Sequence, residues 1–274
     1  HASYRRQRQM CIRDRCNPYR RRKIDNLSEK TILDDPLAQY MYRVYPLPST
    51  MKEYVWMFGS LSPSDEAAYA YQMCQTFTQY LLKRDSDKQR LSKCIVASQE
   101  FVRKTLRDSA MVSLRDIARC LKMFVWIYGR QQKFEQSMIQ ALALVYYFRL
   151  SDQQRGEYNK MISRYIKSFY STLCGKKGII DKLCKTFKES IPRGIALNRS
   201  LQENLFLLFT CIMTKTPLIL VGKPGSSKTL AMAIIRDYFS STKNVEFLRK
   251  QELYPIHVVS FQCSAQSRAG GIEE

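Results

Sequence analysis

The residues with the clearest chemical meaning in this sequence are Gly222-Lys223-Pro224-Gly225-Ser226-Ser227-Lys228-Thr229. Two glycines, a pair of serines and a Lys-Thr step form the pattern of a loop that cradles phosphates. A polyphosphate packs several negative charges into a small volume. Backbone N–H groups that converge at a helix N-terminus can bind it with no side chain in the way. Gly222 and Gly225 let the chain turn tightly and approach the oxygens. Lys228 brings a positive charge to the β and γ oxygens and is the catalytic candidate. Thr229 offers its hydroxyl to Mg²⁺ and is the metal candidate. The expected binding segment is Gly222, Lys223, Pro224, Gly225, Ser226, Ser227, Lys228, Thr229 and Leu230, and the expected ligands are ATP and Mg²⁺.

One position departs from the strict pattern G-x-x-x-x-G-K-[ST], which has glycine where this chain has Ser227. Ser227 stands at the mouth of the expected helix, where a right-handed backbone is anticipated and serine is tolerated. The plain alternative is a Gly/Ser-rich connection carrying a solvated lysine. What separates the two readings is context, because a phosphate loop follows a buried strand and opens a helix.

That context is legible. Thr216-Pro217-Leu218-Ile219-Leu220-Val221 reads as a short, apolar strand of the buried parallel kind. A helix is expected from Lys228 to about Phe239, and a second strand at Ile256–Phe261. A helix over about 199–213, with Leu201, Leu205, Leu208 and Ile212 on one side, precedes the first strand. Helix, strand, loop, helix, strand is the opening of an α/β nucleotide-binding domain.

Upstream, residues 61–190 read as helical. Ser62-Pro63-Ser64-Asp65 is a helix start, with a serine cap and proline at the first helical position, and the helix is expected to reach about Lys83. A second is expected from Ser86 to about Arg107, with Leu91, Cys94, Ile95, Ser98 and Val102 on one face. Ser113-Leu114-Arg115-Asp116 is close to a capping box and opens a strongly apolar helix. Residues 132–150 are apolar on most sides, which demands burial against several neighbours. Ser151-Asp152 caps a helix to about Leu173, Gly175 ends it, and a short basic helix follows over 177–189. Residues 16–60 read as mostly irregular, with a short helix or two.

Composition limits the remaining choices. A chain of 274 residues with 45% hydrophobic and 25% charged residues can bury a core and is neither collagenous nor disordered. No apolar run approaches the length of a bilayer span, and no signal-peptide pattern is present. Nine cysteines without a C-x-x-C pair suggest neither a disulfide framework nor a zinc knuckle and fit a reducing, cytoplasmic setting. They read as core thiols. With two histidines, one of them at position 1, no His-based metal or nucleophile constellation can be built.

The charge is lopsided, at +21. Part of it belongs to Arg5–Arg15, RRQRQMCIRDR, whose coding DNA would resemble a transposase adapter used in sequencing libraries, the alternative being a natural basic arm that binds phosphate. Residues 1–15 are therefore read as a sequencing-adapter scar and set aside from fold reasoning. Of the rest, residues 16–192 hold 30 basic against 17 acidic groups, and residues 193–274 hold 10 against 6. The basic excess thus lies away from the phosphate loop. It lacks interleaved aromatics, which favours a solvated or inter-module face over a nucleic-acid surface.

The motif and its surroundings resemble one family. Ile191-Pro192-Arg193-Gly194-Ile195-Ala196-Leu197-Asn198, Glu203-Asn204, Thr216 through Leu230 and Val258-Val259-Ser260-Phe261-Gln262-Cys263-Ser264 are similar to the mysterin family, giant AAA+ proteins with a RING finger E3 ubiquitin ligase. Serine at the second-glycine position is characteristic of that family. Phe101-Val102-Arg103 and Val112 through Ile117 resemble the helical lid of a preceding AAA+ unit, and the resemblance implies a sensor arginine at Arg115.

The resemblance gives the chain an order. A helical lid over 61–190 is followed by the truncated start of an α/β P-loop core over 191–274. It implies an ATPase motor coupled to ubiquitin transfer, with Walker B, sensor 1, arginine-finger and RING residues expected outside this fragment, which by itself would be inactive. Implied partners are the other AAA+ units of the same chain, the ubiquitination machinery and, from the resemblance alone, a membrane or lipid-droplet surface. Two alternatives stay open on the residues themselves. One is a non-hydrolysing helical interaction module that kept a degenerate P-loop; the other is a basic nucleic-acid-binding domain.

Overall fold

The computed structural model describes residues 61–106 and 112–240, together with Thr50, Glu53 and Tyr54. The readings of residues 1–15, of nearly all of 16–60 and of the strand at 256–261 lie outside the described residues.

Among the described residues nine α-helices follow one another: α1 Pro63–Thr78, α2 Asp85–Leu106, α3 Leu114–Gln131, α4 Phe134–Leu142, α5 Asp152–Ile162, α6 Phe169–Cys174, α7 Ile179–Thr186, α8 Arg199–Met213 and α9 Lys228–Ser240. A π turn, Ala143–Tyr147, extends α4, and a 3₁₀ turn, Lys188–Ser190, follows α7. Helix starts are set by local chemistry. Ser62 Oγ accepts the Asp65 N–H at 3.1 Å, with Pro63 at the first helical position. Asp116 completes the capping box at α3, since its carboxylate accepts the Ser113 N–H at 2.9 Å. Asn198 Oδ1 accepts the Leu201 N–H at 2.8 Å and opens α8.

Two helices are shorter than the periodicity predicts. α1 stops at Thr78, whose hydroxyl turns back to the Cys74 carbonyl at 2.7 Å. The expected helix from Asp152 to Leu173 breaks after Ile162, where a turn closed by Tyr165 N–H to the Ile162 carbonyl at 2.9 Å lets Ile166 point inward. Phe169 and Leu173 then reach the core from a separate short helix, α6. Tertiary burial outweighs the local propensity to continue the helix.

The core is aromatic and continuous. Phe101, Tyr147, Tyr158 and Phe169 meet edge-on or tilted at centroid distances of 5.4 to 5.8 Å, and the Tyr158 and Ser98 hydroxyls share a hydrogen bond of 2.8 Å. Phe148 contacts Phe206 of α8 at 5.8 Å, and Phe209 stacks on Phe239 of α9 at 6.0 Å. One hydrophobic cluster therefore runs from α1 to α9. α4 and its π turn are enclosed from Ser137 to Ala143, as their all-round apolar sequence requires.

The segment between α8 and α9 corrects the sequence reading. Thr216–Val221 is not a strand, and no strand occurs among the described residues. Its side chains do alternate. Leu218 and Leu220 lean on the core, whereas Ile219 is 87% and Val221 92% exposed. The period of two is that of a strand, but a strand exists only through ladder hydrogen bonds to a neighbour, and the described residues supply none. The helical half of the expected fold class is observed; the α/β half has no sheet among the described residues.

Candidate functional site

α8 and α9 position the loop Gly222–Ser227. α8 is amphipathic and buries Leu201, Leu205, Phe206 and Leu208. α9 buries Ala231, Ile234, Ile235, Tyr238 and Phe239 against it. The loop between them lies on the surface, with Gly222 through Gly225 exposed and Ser226, Ser227 and Lys228 half-buried.

Two left-handed residues shape the turn. Gly225 has φ +80°, and a Cβ built there would meet nothing within 4 Å, so only the backbone conformation restricts the position. Ser227 has φ +59°, which corrects the expectation of a right-handed serine. The general motif has glycine here because glycine takes the left-handed region without steric cost. The helix itself begins at Lys228, as expected, so Ser227 is the last residue of the loop.

Lys228 is the first residue of α9, and its side chain curls back over the loop. Its Nζ donates to the carbonyls of Gly222 at 2.7 Å and Lys223 at 2.9 Å and to Ser226 Oγ at 2.9 Å. Ser226 Oγ in turn donates to the Lys223 carbonyl at 2.8 Å. The motif's lysine, serine and first glycine are thus brought together. Pro224 and Gly225 form the exposed tip, Thr229 is exposed on the first turn of α9, and Leu230 packs against the core.

The donors fit an anion. The first N–H bonded within α9 is that of Ala231, to the Ser227 carbonyl at 3.0 Å. Those of Lys228, Thr229 and Leu230 come before it and are left over by helix geometry, at the positive end of the helix dipole. With the Lys228 ammonium beside them, these groups suit the phosphates of a nucleotide. The Thr229 hydroxyl, one residue on, suits the accompanying Mg²⁺.

Sequence reasoning gave no role to two residues next to one another on α8. Asn204 Nδ2 donates to the Ser226 carbonyl at 2.8 Å and ties the loop to the helix. Glu203 accepts from Arg155 of α5 at 2.8 Å and from Arg199 at 2.9 Å. The usable signal was a polar Gln202-Glu203-Asn204 run just ahead of the mostly apolar stretch Leu205 to Met213. Arg115, implied as a sensor residue, is exposed at the start of α3. Arg103 instead forms a double ion pair with the buried Glu66 carboxylate across α1 and α2, one bond being 2.6 Å.

Among the described residues Cys74, Cys94, Cys120, Cys184 and Cys211 are buried as core residues, and Cys174 is half-buried. Burial pushes the thiols of Cys74, Cys94 and Cys184 up to about 12 and that of Cys211 up to about 11. Thiols held in the neutral form are poor nucleophiles.

Comparison with known proteins places these features in a family. Residues 194–274 match the RNF213 AAA domain model. The chain is 30% identical to human E3 ubiquitin-protein ligase RNF213 over 94% of its own length, 32% to the mouse protein over 86%, and 31% to zebrafish E3 ubiquitin-protein ligase rnf213-beta over 94%. It spans only 5 to 6% of the length of these relatives.

Proposed function

Since the chain belongs to the RNF213, or mysterin, family of AAA-domain proteins, we propose that Gly222–Leu230 binds the phosphates of ATP with Mg²⁺. The observation that carries this reading is the Lys228 ammonium, which lies 2.7 to 2.9 Å from the Gly222 and Lys223 carbonyls at the head of α9. A lysine already folded over its own loop can exchange two carbonyl partners for phosphate oxygens with little reorganisation. Bound ATP-Mg²⁺ supplies the phosphoryl chemistry of an ATPase. The chain's part is to orient the phosphates with the Lys228–Leu230 N–H groups and to neutralise them with Lys228. Thr229 is the residue that would hold Mg²⁺.

The relatives are named E3 ubiquitin-protein ligases. We place this nucleotide site within a larger protein of that kind, where ATP-dependent movement accompanies ubiquitin transfer. The remaining AAA+ units and the ubiquitination machinery are its proposed partners, and the cytoplasm its proposed location. Among the described residues no helix is long and apolar enough to cross a membrane. Titration with a fluorescent ATP analogue in Mg²⁺ tests the reading. Saturable binding that Lys228→Ala weakens at least tenfold supports it, and equal binding by the variant makes the loop vestigial.

A further inference from the structure

The loop departs from the general motif at one residue, and the structure shows what sits opposite that departure. Ser227 holds φ +59°, a conformation that L side chains disfavour. The carbonyl immediately before it, that of Ser226, accepts the 2.8 Å bond from Asn204 Nδ2. No cis peptide occurs among the described residues, so the Ser226 carbonyl and the Ser227 N–H belong to one planar trans unit and point in opposite directions. Drawing the carbonyl toward α8 turns the Ser227 N–H away from α8.

Asn204 is itself well placed to hold that geometry. It lies on a helix whose neighbouring residue, Glu203, is fixed by two arginines: Arg155 from α5 and Arg199 from the same helix. Ser226 is meanwhile gripped from its other side, since its Oγ accepts from Lys228 Nζ at 2.9 Å and donates to the Lys223 carbonyl at 2.8 Å. The Ser226–Ser227 peptide is thus clamped between α8 and the head of α9.

We infer that Asn204 is a positioning residue of the nucleotide site: its side-chain amide holds the Ser226–Ser227 peptide so that the Ser227 N–H faces the phosphates, and it keeps a serine in a backbone conformation otherwise suited to glycine. The inference rests on the nucleotide-binding reading and adds a residue to it. Asn204 touches no phosphate; it acts through the orientation of one peptide.

The test uses the 274-residue chain and three variants, with a fluorescent ATP analogue in Mg²⁺ and with amide hydrogen exchange at Ser227. Asn204→Asp keeps the shape of the side chain but sets a carboxylate against the carbonyl in place of a donor. It is expected to weaken nucleotide binding about tenfold, the scale of one lost hydrogen bond in a preorganised loop, and to speed exchange of the Ser227 amide without nucleotide. Glycine needs no clamp to stay left-handed, so Ser227→Gly in the Asn204→Asp background is expected to restore most of the affinity. Binding by Asn204→Asp within twofold of wild type overturns the inference while leaving the nucleotide site intact. A loss that Ser227→Gly fails to restore overturns it also, because the asparagine then supports the fold generally. If the wild type shows no saturable binding, the nucleotide reading falls and takes the phosphate-facing role with it. Lys228→Ala, run in parallel, reports on that reading alone.

Discussion

Arg155 on α5 and Glu203 on α8 meet at 2.8 Å with only 14% and 13% of their side chains exposed. Arg155 also donates to the carbonyls of Leu150 at 3.0 Å and Phe148 at 3.3 Å. The pair joins the helical body to the helix that carries Asn204, so the residues bearing the Gly222–Ser227 loop are anchored to the residues upstream of them. An ion pair this well covered is costly to break from one side, because Glu203 then keeps only the more exposed Arg199, and Arg155 only carbonyls and the exposed Asp152.

Breaking that pair from one side should therefore cost more than removing it whole. Arg155→Met and Glu203→Gln are each expected to destabilise the chain by about 2–4 kcal/mol, and the double variant by clearly less than the sum. Urea unfolding of the three proteins measures this. Strictly additive losses would show that the two side chains do not stabilise each other.

Ser227 carries a conformational penalty that glycine lacks. Ser227→Gly should stabilise the chain by about 1 kcal/mol, since the native φ of +59° suits glycine. Denaturant midpoints at constant slope give the comparison. A destabilised variant would mean that the serine is held there by contacts worth more than the strain.

Much of this arrangement could be read from the residues. The caps at Ser62, Ser113 and Ser151 announced three helix starts correctly because capping is a local interaction of side chain and backbone. The apolar face Leu91, Cys94, Ile95, Ser98 and Val102 is buried throughout, as helical spacing demands. The break after Ile162 was not legible, because it is set by where Ile166, Phe169 and Leu173 find room in the core. The strand expected at 216–221 keeps its alternation but has no pairing among the described residues: alternation is a property of the segment, and a strand is a property of a pair. At the loop, the residue types and their order were visible, whereas the left-handed Ser227 and the bond from Asn204 depend on how α8 meets α9.

The exposed and covered faces of 216–221 should respond differently to substitution. Leu220→Ala is expected to cost about 1–2 kcal/mol, as a partly buried side chain leaving the core. Ile219→Thr, at a position 87% exposed, should stay within about 0.5 kcal/mol of wild type. Thermal unfolding of the two variants separates the faces, and equal losses would contradict the one-sided packing.

Alkaline pH should weaken the fold. The buried thiols of Cys74, Cys94 and Cys184 release their protons at about 12 in the folded chain, against an ordinary value of 9.0. Burial likewise raises the phenols of Tyr146 and Tyr158. Between these values the unfolded chain binds fewer protons than the folded one, so stability is intact below pH 9 and falls as pH rises towards 12. Urea midpoints measured from pH 8 to pH 11 should decline over this window, and a flat profile would place these groups in water.

The central claim is that the loop between α8 and α9 grips nucleotide phosphates through its own backbone. The most direct measurement is the change in backbone amide chemical shifts when Mg²⁺-ATP is added to isotope-labelled chain. Large changes confined to Gly225 through Leu230, and abolished by Lys228→Ala, are the predicted result. Saturable binding that leaves those amides unmoved, or shifts residues elsewhere instead, would contradict the account.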